Sequence, residues 1–211
     1  MIHKSIRATL SGLLVLIALN ADASGFDGPY GVGLLSMGRA ETRLQGFNPD
    51  TTVSSGAFNG TLGLGYSKNL GAINLAGELS AGLGNQRAGA LSGEDFSGKW
   101  HDQFKIKRLM GMSLQPGLYL NADTLAYAKF SVNRATGENT YDYGVTDRGS
   151  VTKSHQGLGV GVGLRHRIND QIDAVAEVQQ IRLSSERYWQ DTQETYRPSF
   201  FTFSAGLAVR F

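Results

Sequence analysis

Cysteine is absent from this 211-residue chain, so a disulfide framework and a cysteine metal site are both excluded. Proline is scarce, at 4 residues, and no stretch has the composition of a linker, a charge block or a low-complexity tract. Charge of one sign is lacking too. Lys and Arg number 20 and Asp and Glu 18, a net charge of +2, which does not suit a nucleic-acid binder. No long apolar run follows the first two dozen residues, which excludes a helical membrane protein but not a β-barrel, whose strands carry only half the apolar signal.

What is present begins with a leader. Lys4 and Arg7 form a positive segment, residues 10–19 an apolar stretch too short to span a bilayer, and Ala21-Asp22-Ala23 an A-x-A cleavage site. The expected organisation is a cleaved signal peptide over residues 1–23 and one domain over 24–211. Glycine is abundant, at 28 residues. Ordinary strands avoid it, but a strand lining a crowded barrel interior tolerates it.

The last residues alternate with period 2. Phe201, Phe203, Ala205, Leu207, Val209 and Phe211 fall on one face, and Thr202, Ser204, Gly206, Ala208 and Arg210 on the other. An apolar strand carried flush to the terminal carboxylate suits the closing strand of an outer-membrane barrel, with Phe211 at the membrane interface. Similar alternation predicts further strands near residues 29–39, 57–68, 73–84, 104–114, 125–133, 157–168 and 171–183. In the first, Tyr30, Val32 and Leu34 share a face; in the fourth, Phe104, Ile106, Met110, Met112 and Leu114 do. Short turns at 69–71, 121–123 and 169–170 alternate with long polar connections at 40–55, 85–103, 134–155 and 184–198. The predicted fold is all-β: an eight-stranded, antiparallel, up-and-down transmembrane β-barrel. A soluble barrel also alternates, but the Gly, Ser, Thr and Asn of the non-apolar face fit a narrow lumen better than a solvated exterior.

Glu78, Lys129, Arg165 and Glu177 fall on inward faces, where charges must pair, and Tyr127 and Arg167 are candidates to join them. Such a plug leaves little room for a diffusion pore. Glu177 and Ile181 share a phase, which raises a bulge in the seventh strand. Tyr30, Tyr66, Phe104, Tyr119, Tyr127, Tyr188, Phe200 and Phe211 lie near strand ends and are expected at headgroup level; Trp100 and Trp189, in loops, are candidates for partner contact. The hydrolase candidates are His101 with Asp102, His155 with Ser154, and His166. Lipid A deacylase barrels carry a His-x-Ser pair on a strand, which the domain over residues 24–211 lacks. Neither the scattered histidines nor the strand-like Gly157-Leu158-Gly159-Val160-Gly161 suggests a metal or phosphate site, so no catalytic residue, cofactor or metal is expected.

With these residues in view, the chain resembles the outer membrane protein β-barrel superfamily, the OmpA-like and opacity-type small porins. Phe26-Asp27-Gly28-Pro29-Tyr30-Gly31 resembles the family's opening, and Leu114-Gln115-Pro116-Gly117-Leu118-Tyr119 with Leu125-Ala126-Tyr127-Ala128-Lys129 its central hairpin. The glycine-alternating sixth strand and Phe211 complete the likeness. The resemblance implies an outer-membrane location with both termini periplasmic and Phe211 as the signal read by the barrel-assembly machinery. Its implied partners are outer-membrane lipid and lipopolysaccharide, with host or envelope macromolecules at the loops and no nucleic acid. The expected role is non-enzymatic, envelope-structural or adhesive. A lipid A-modifying enzyme and a narrow pore are the alternatives.

Overall fold

The computed structural model describes residues 25–45, 50–95, 98–142, 148–188 and 195–211. The signal-peptide reading and Trp189 lie outside them, as does the side chain of Trp100. The strands are β1 (Gly28–Gln45), β2 (Thr51–Asn69), β3 (Ile73–Leu83), β4 (Gln86–Asp95), β5 (Gly98–Asn121), β6 (Thr124–Asp142), β7 (Arg148–Arg167), β8 (Ile172–Leu183), β9 (Glu186–Arg187) and β10 (Thr195–Arg210). Each pairs antiparallel with its neighbours, and β1 pairs with β10 from Tyr30↔Arg210 to Gln45↔Thr195, which closes the sheet. β4 continues the stave begun by β3 along β5, and β9 continues that of β8, so the ring has 8 staves.

The barrel has two tiers of opposite character. In the lower tier Phe58, Leu62, Leu64, Leu79, Met112, Leu158 and Phe203 point out and are exposed, while Asn59, Glu78, Ser113, Lys129 and Ser131 are buried inside. This is the pattern of a wall immersed in lipid. Higher up, Arg39, Arg43, Arg134 and Gln156 face outward, and Ala40, Leu44, Ala57, Phe104, Ile106, Ile181, Leu183 and Phe200 form an apolar core inside. That is the pattern of a barrel standing in water. On β1 the backbone phase never changes: even residues point inward from Tyr30 to Leu44, and only the chemistry inverts.

Four expectations change. The long polar connections are mostly strand, because β1 runs on to Gln45, β2 starts at Thr51, β6 reaches Asp142 and β7 starts at Arg148. A membrane span needs roughly 9–11 residues, so these strands of 18 to 20 residues overshoot it. In β5 the predicted single apolar face divides. A register shift between Ile106 and Arg108 turns Phe104 and Ile106 inward while Met110, Met112 and Leu114 face lipid. β8 needs no such device: its pairing is continuous, and Ile181 belongs inside with the upper core. Most of the expected headgroup aromatics are interior. Tyr30, Phe104, Tyr127, Tyr188 and Phe200 are buried, whereas Tyr66 and Phe211 face out.

Candidate functional site

The lumen of the lower tier is filled by an ionic layer. Lys129 on β6 donates to Glu78 Oε1 on β3 and to both oxygens of Glu177 on β8, each at 3.0 Å. Tyr30 donates to Glu78 at 3.1 Å and Tyr127 to Glu177 at 2.7 Å. The Arg165 guanidinium lies 4.1 Å from the Tyr30 ring centroid, a cation–π contact that joins the fourth sequence candidate to the network through Tyr30. Glycines make room for this packing. A Cβ on Gly65 would collide with the Tyr30 ring, and one on Gly163 with the Tyr127 ring. Lys129, Glu78 and Glu177 each have a partner of opposite sign, which is what a low-dielectric lumen demands, whereas Arg165 rests on the Tyr30 ring with its Nε unpaired.

Below this layer the chain stoppers its own mouth. Phe26 is wholly buried, flanked by the guanidiniums of Arg167 and Arg210 and by the Tyr119 ring. Arg210 donates to the Gly25 carbonyl at 2.7 Å and pairs with buried Asp173 at 3.2 Å, and Arg167 faces Asp123 at 3.6 Å. Above the ionic layer a polar cavity of about 60 Å³, lined by Asn59, Ser131 and Gln179 among others, separates it from the apolar core. A cavity of that size holds waters and nothing larger. Sequence reasoning missed the Phe26 stopper and the Asp173–Arg210 pair. The signal available was Arg210, a lone charge on the small-residue face of the last strand.

The upper core ends in a second polar cluster. His155 meets the Ser184 carbonyl and the Tyr188 hydroxyl, both at 2.9 Å, and Phe104 packs edge-on to His155 and Tyr188. Tyr196 donates to Asp102 at 3.3 Å. Burial lowers the His155 pKa, opposed by the Ser184 carbonyl and Glu186, and burial raises that of Asp102. The folded state therefore favours neutral His155 more than the unfolded chain does, which takes up a proton near pH 6.5, roughly the ordinary histidine value. Stability from this group is complete above that value and is lost as pH falls through it. Asp102 has the opposite sign, since acid relieves its buried charge, and its window runs upward from the ordinary carboxylate value of about 3.9. Lowering the pH from about 7.5 to about 5.5 should thus loosen the upper tier. Limited proteolysis of the upper hairpins will read this, and His155→Gln should flatten the response.

The hydrolase candidates do not assemble. His101 Nδ1 meets Ser92 at 2.7 Å on the exposed outer wall, while Asp102, its sequence neighbour, points into the lumen. Ser154 faces outward and receives the Arg134 Nε bond, away from the buried His155 ring. Among the described residues His166 hydrogen-bonds only to Thr124, at 3.0 Å, on the exterior. The described residues contain no cluster of potential metal ligands.

A closed antiparallel barrel with an apolar outer belt and a charged, filled lumen defines the class of integral outer-membrane β-barrels. The chain belongs to the outer membrane protein beta-barrel domain family, whose profile matches residues 8–211. Among solved structures it is similar to Neisserial surface protein A, at 15% identity over 88% of this chain and 100% of that one, with a TM-score of 0.48. It is also similar to Ail, the attachment invasion locus protein of Yersinia pestis, at 14% identity over 86% and 99%, with a TM-score of 0.46. A third similarity is to the outer membrane protease OmpT of Escherichia coli, at 11% identity over 88% and 97%, with a TM-score of 0.43. Comparison with curated protein sequences gave no match.

Proposed function

We propose that this protein is a closed, non-conducting and non-enzymatic outer-membrane barrel whose upper tier stands clear of the membrane as a surface for interaction or envelope support. The observation that carries the reading is the doubly sealed lumen: the Lys129–Glu78–Glu177 layer below and the Phe104, Ile106 and Phe200 core above. A solute path would have to cross both. The polar outer wall above the lipid belt supports a surface role, and the separated His, Ser and Asp side chains argue against hydrolysis. In this reading residues 1–23 are a removed leader, and both ends of the barrel chain lie on the periplasmic side. Phe211, exposed beside the β1–β10 seam with its N–H on the Pro29 carbonyl at 3.2 Å, is the end read by the assembly machinery. Trp100 and Trp189 are the residues proposed for partner contact on the sequence alone.

The absence of native cysteine makes the test clean. Single cysteines replacing Lys99 or Arg148 should react with a membrane-impermeant maleimide on intact cells, and those replacing Lys68 or Asp170 should not. The purified protein should give no discrete conductance steps in planar bilayers. Reversed labelling would overturn the orientation, and steps would overturn the closed lumen.

A further inference from the structure

The first outward residue above the apolar belt is an arginine on three adjacent staves: Arg87 on β4, Arg108 on β5 and Arg134 on β6. None of the three has an ion-pair partner among the described residues, and Lys105 lies cross-strand from Arg87. Glu138 is engaged by Lys107 at 2.6 Å. On the opposite side of the barrel Arg39, at the same level on β1, is already held by Glu41 at 2.9 Å and Ser54 at 3.0 Å. Arg182 on β8 and Arg197 on β10 also face outward without an ion-pair partner among the described residues, but the β4–β6 group is the one with a member, Arg134, on the rim of a depression in the wall. Arg108 faces Thr136 and Arg134 faces Met110, so the two guanidiniums are diagonal neighbours across the β5–β6 pair. Arg134 Nε donates to Ser154 at 3.0 Å, and its terminal amines have no partner among the described residues.

Directly beneath these arginines the wall is hollow. A shallow depression of about 570 Å³ starts at Arg134 and Gln156 and is floored by Met110, Met112, Val132 and Leu158. It shares the last three of these with an apolar trough of about 830 Å³ that continues down past Leu114, Phe130 and Val160. One amphiphile matches this sequence of surfaces: a lipid with phosphate at its head and an acyl chain below. Guanidinium forks bind phosphate through paired, charge-assisted hydrogen bonds, and the trough accepts the chain by apolar burial.

We propose that this sector of β5, β6 and β7 is a specific site for a phosphorylated, acylated lipid of the outer leaflet, with phosphate held by Arg108 and Arg134 and an acyl chain in the trough. The proposal rests on the outer-membrane reading above and adds a named ligand class and place. The test uses the unmodified barrel chain in phosphatidylcholine nanodiscs containing a minor fraction of bisphosphorylated lipid A or of its dephosphorylated counterpart, with retained lipid counted by native mass spectrometry. The phosphorylated lipid should be retained preferentially, and the Arg108→Gln, Arg134→Gln double variant should lose about tenfold or more in retention. Arg39→Gln should retain the lipid as the unmodified protein does. Equal retention of the two lipids, or an equal loss in Arg39→Gln, would overturn the proposal. All three substitutions face outward, so each variant should keep the heat-dependent gel mobility of a folded barrel. An unmodified protein that failed to enter nanodiscs would sink the membrane reading itself.

Discussion

Lys129→Met should destabilise the barrel by about 3–5 kcal/mol, the cost of leaving buried charge without its partner. The reason lies in the geometry around the ammonium. Glu78 and Glu177 approach each other only because Lys129 sits 3.0 Å from both, and all three side chains are almost wholly shielded from solvent. Removing the cation leaves two facing carboxylates whose remaining donors are single tyrosine hydroxyls. The loss should appear as a lower urea midpoint in lipid vesicles, followed by the mobility difference between heated and unheated samples. A partner experiment separates charge from packing. Lys129→Met combined with Glu78→Gln and Glu177→Gln removes every charge of the triad and should recover much of the lost stability. If the triple variant is no more stable than Lys129→Met alone, the layer is held by shape rather than by charge.

The second large effect is expected at Gly163. Its inward position on β7 is occupied in space by the Tyr127 ring, which a Cβ there would strike. Gly163→Val cannot be absorbed by the backbone, because Gly163 is paired on both sides, with Tyr127 on β6 and Glu177 on β8. The ring must move, and the 2.7 Å bond from Tyr127 to Glu177 goes with it. Overpacking costs about 1–3 kcal/mol, and a buried carboxylate deprived of its donor adds about 1–3 kcal/mol more. Tyr127→Ala should cancel much of the clash, so the same urea titrations on Gly163→Val, Tyr127→Ala and the double variant form a cycle with a large coupling energy. Additive effects would show that the glycine does not make room for the ring.

The sequence was most legible where the wall meets lipid. The outward set Phe201, Phe203, Leu207, Val209 and Phe211 was readable because hydrocarbon outside and polar groups inside give the strongest contrast a strand can carry. The inward phases of Glu78, Lys129, Arg165 and Glu177 follow from the same rule. Above Arg39 the rule reverses, since water replaces lipid outside. Strands such as the upper half of β6, with Thr136, Glu138 and Thr140 outside and Gly137 and Asn139 inside, then have the composition of a loop. Their strand character comes from neighbours in the sheet rather than from their own pattern. The β5 shift was hidden for a related reason. Phe104, Ile106, Met110 and Met112 all fall on even positions with Arg108 as the one interruption, and three-dimensional pairing reveals that the chain changes face there. Tyr30 looked interfacial because it stands at a strand end; the small Gly65 opposite it, which admits the ring to the lumen, is visible only after β1 and β2 are in register.

The inversion of chemistry between the two tiers also fixes the alignment of the whole wall. Suppose β10 slid by one residue against β1 and kept its hydrogen bonds. In the lower half Arg210 would turn toward hydrocarbon and Leu207 toward the charged lumen; in the upper half Phe200 and Tyr196 would turn toward water and Arg197 toward the apolar core. Each half penalises the same slide through a different solvent, so weakening one environment does not free the strand. A detergent that mimics the bilayer poorly, or a salt that screens the outer arginines, would still leave the other half holding the seam in register.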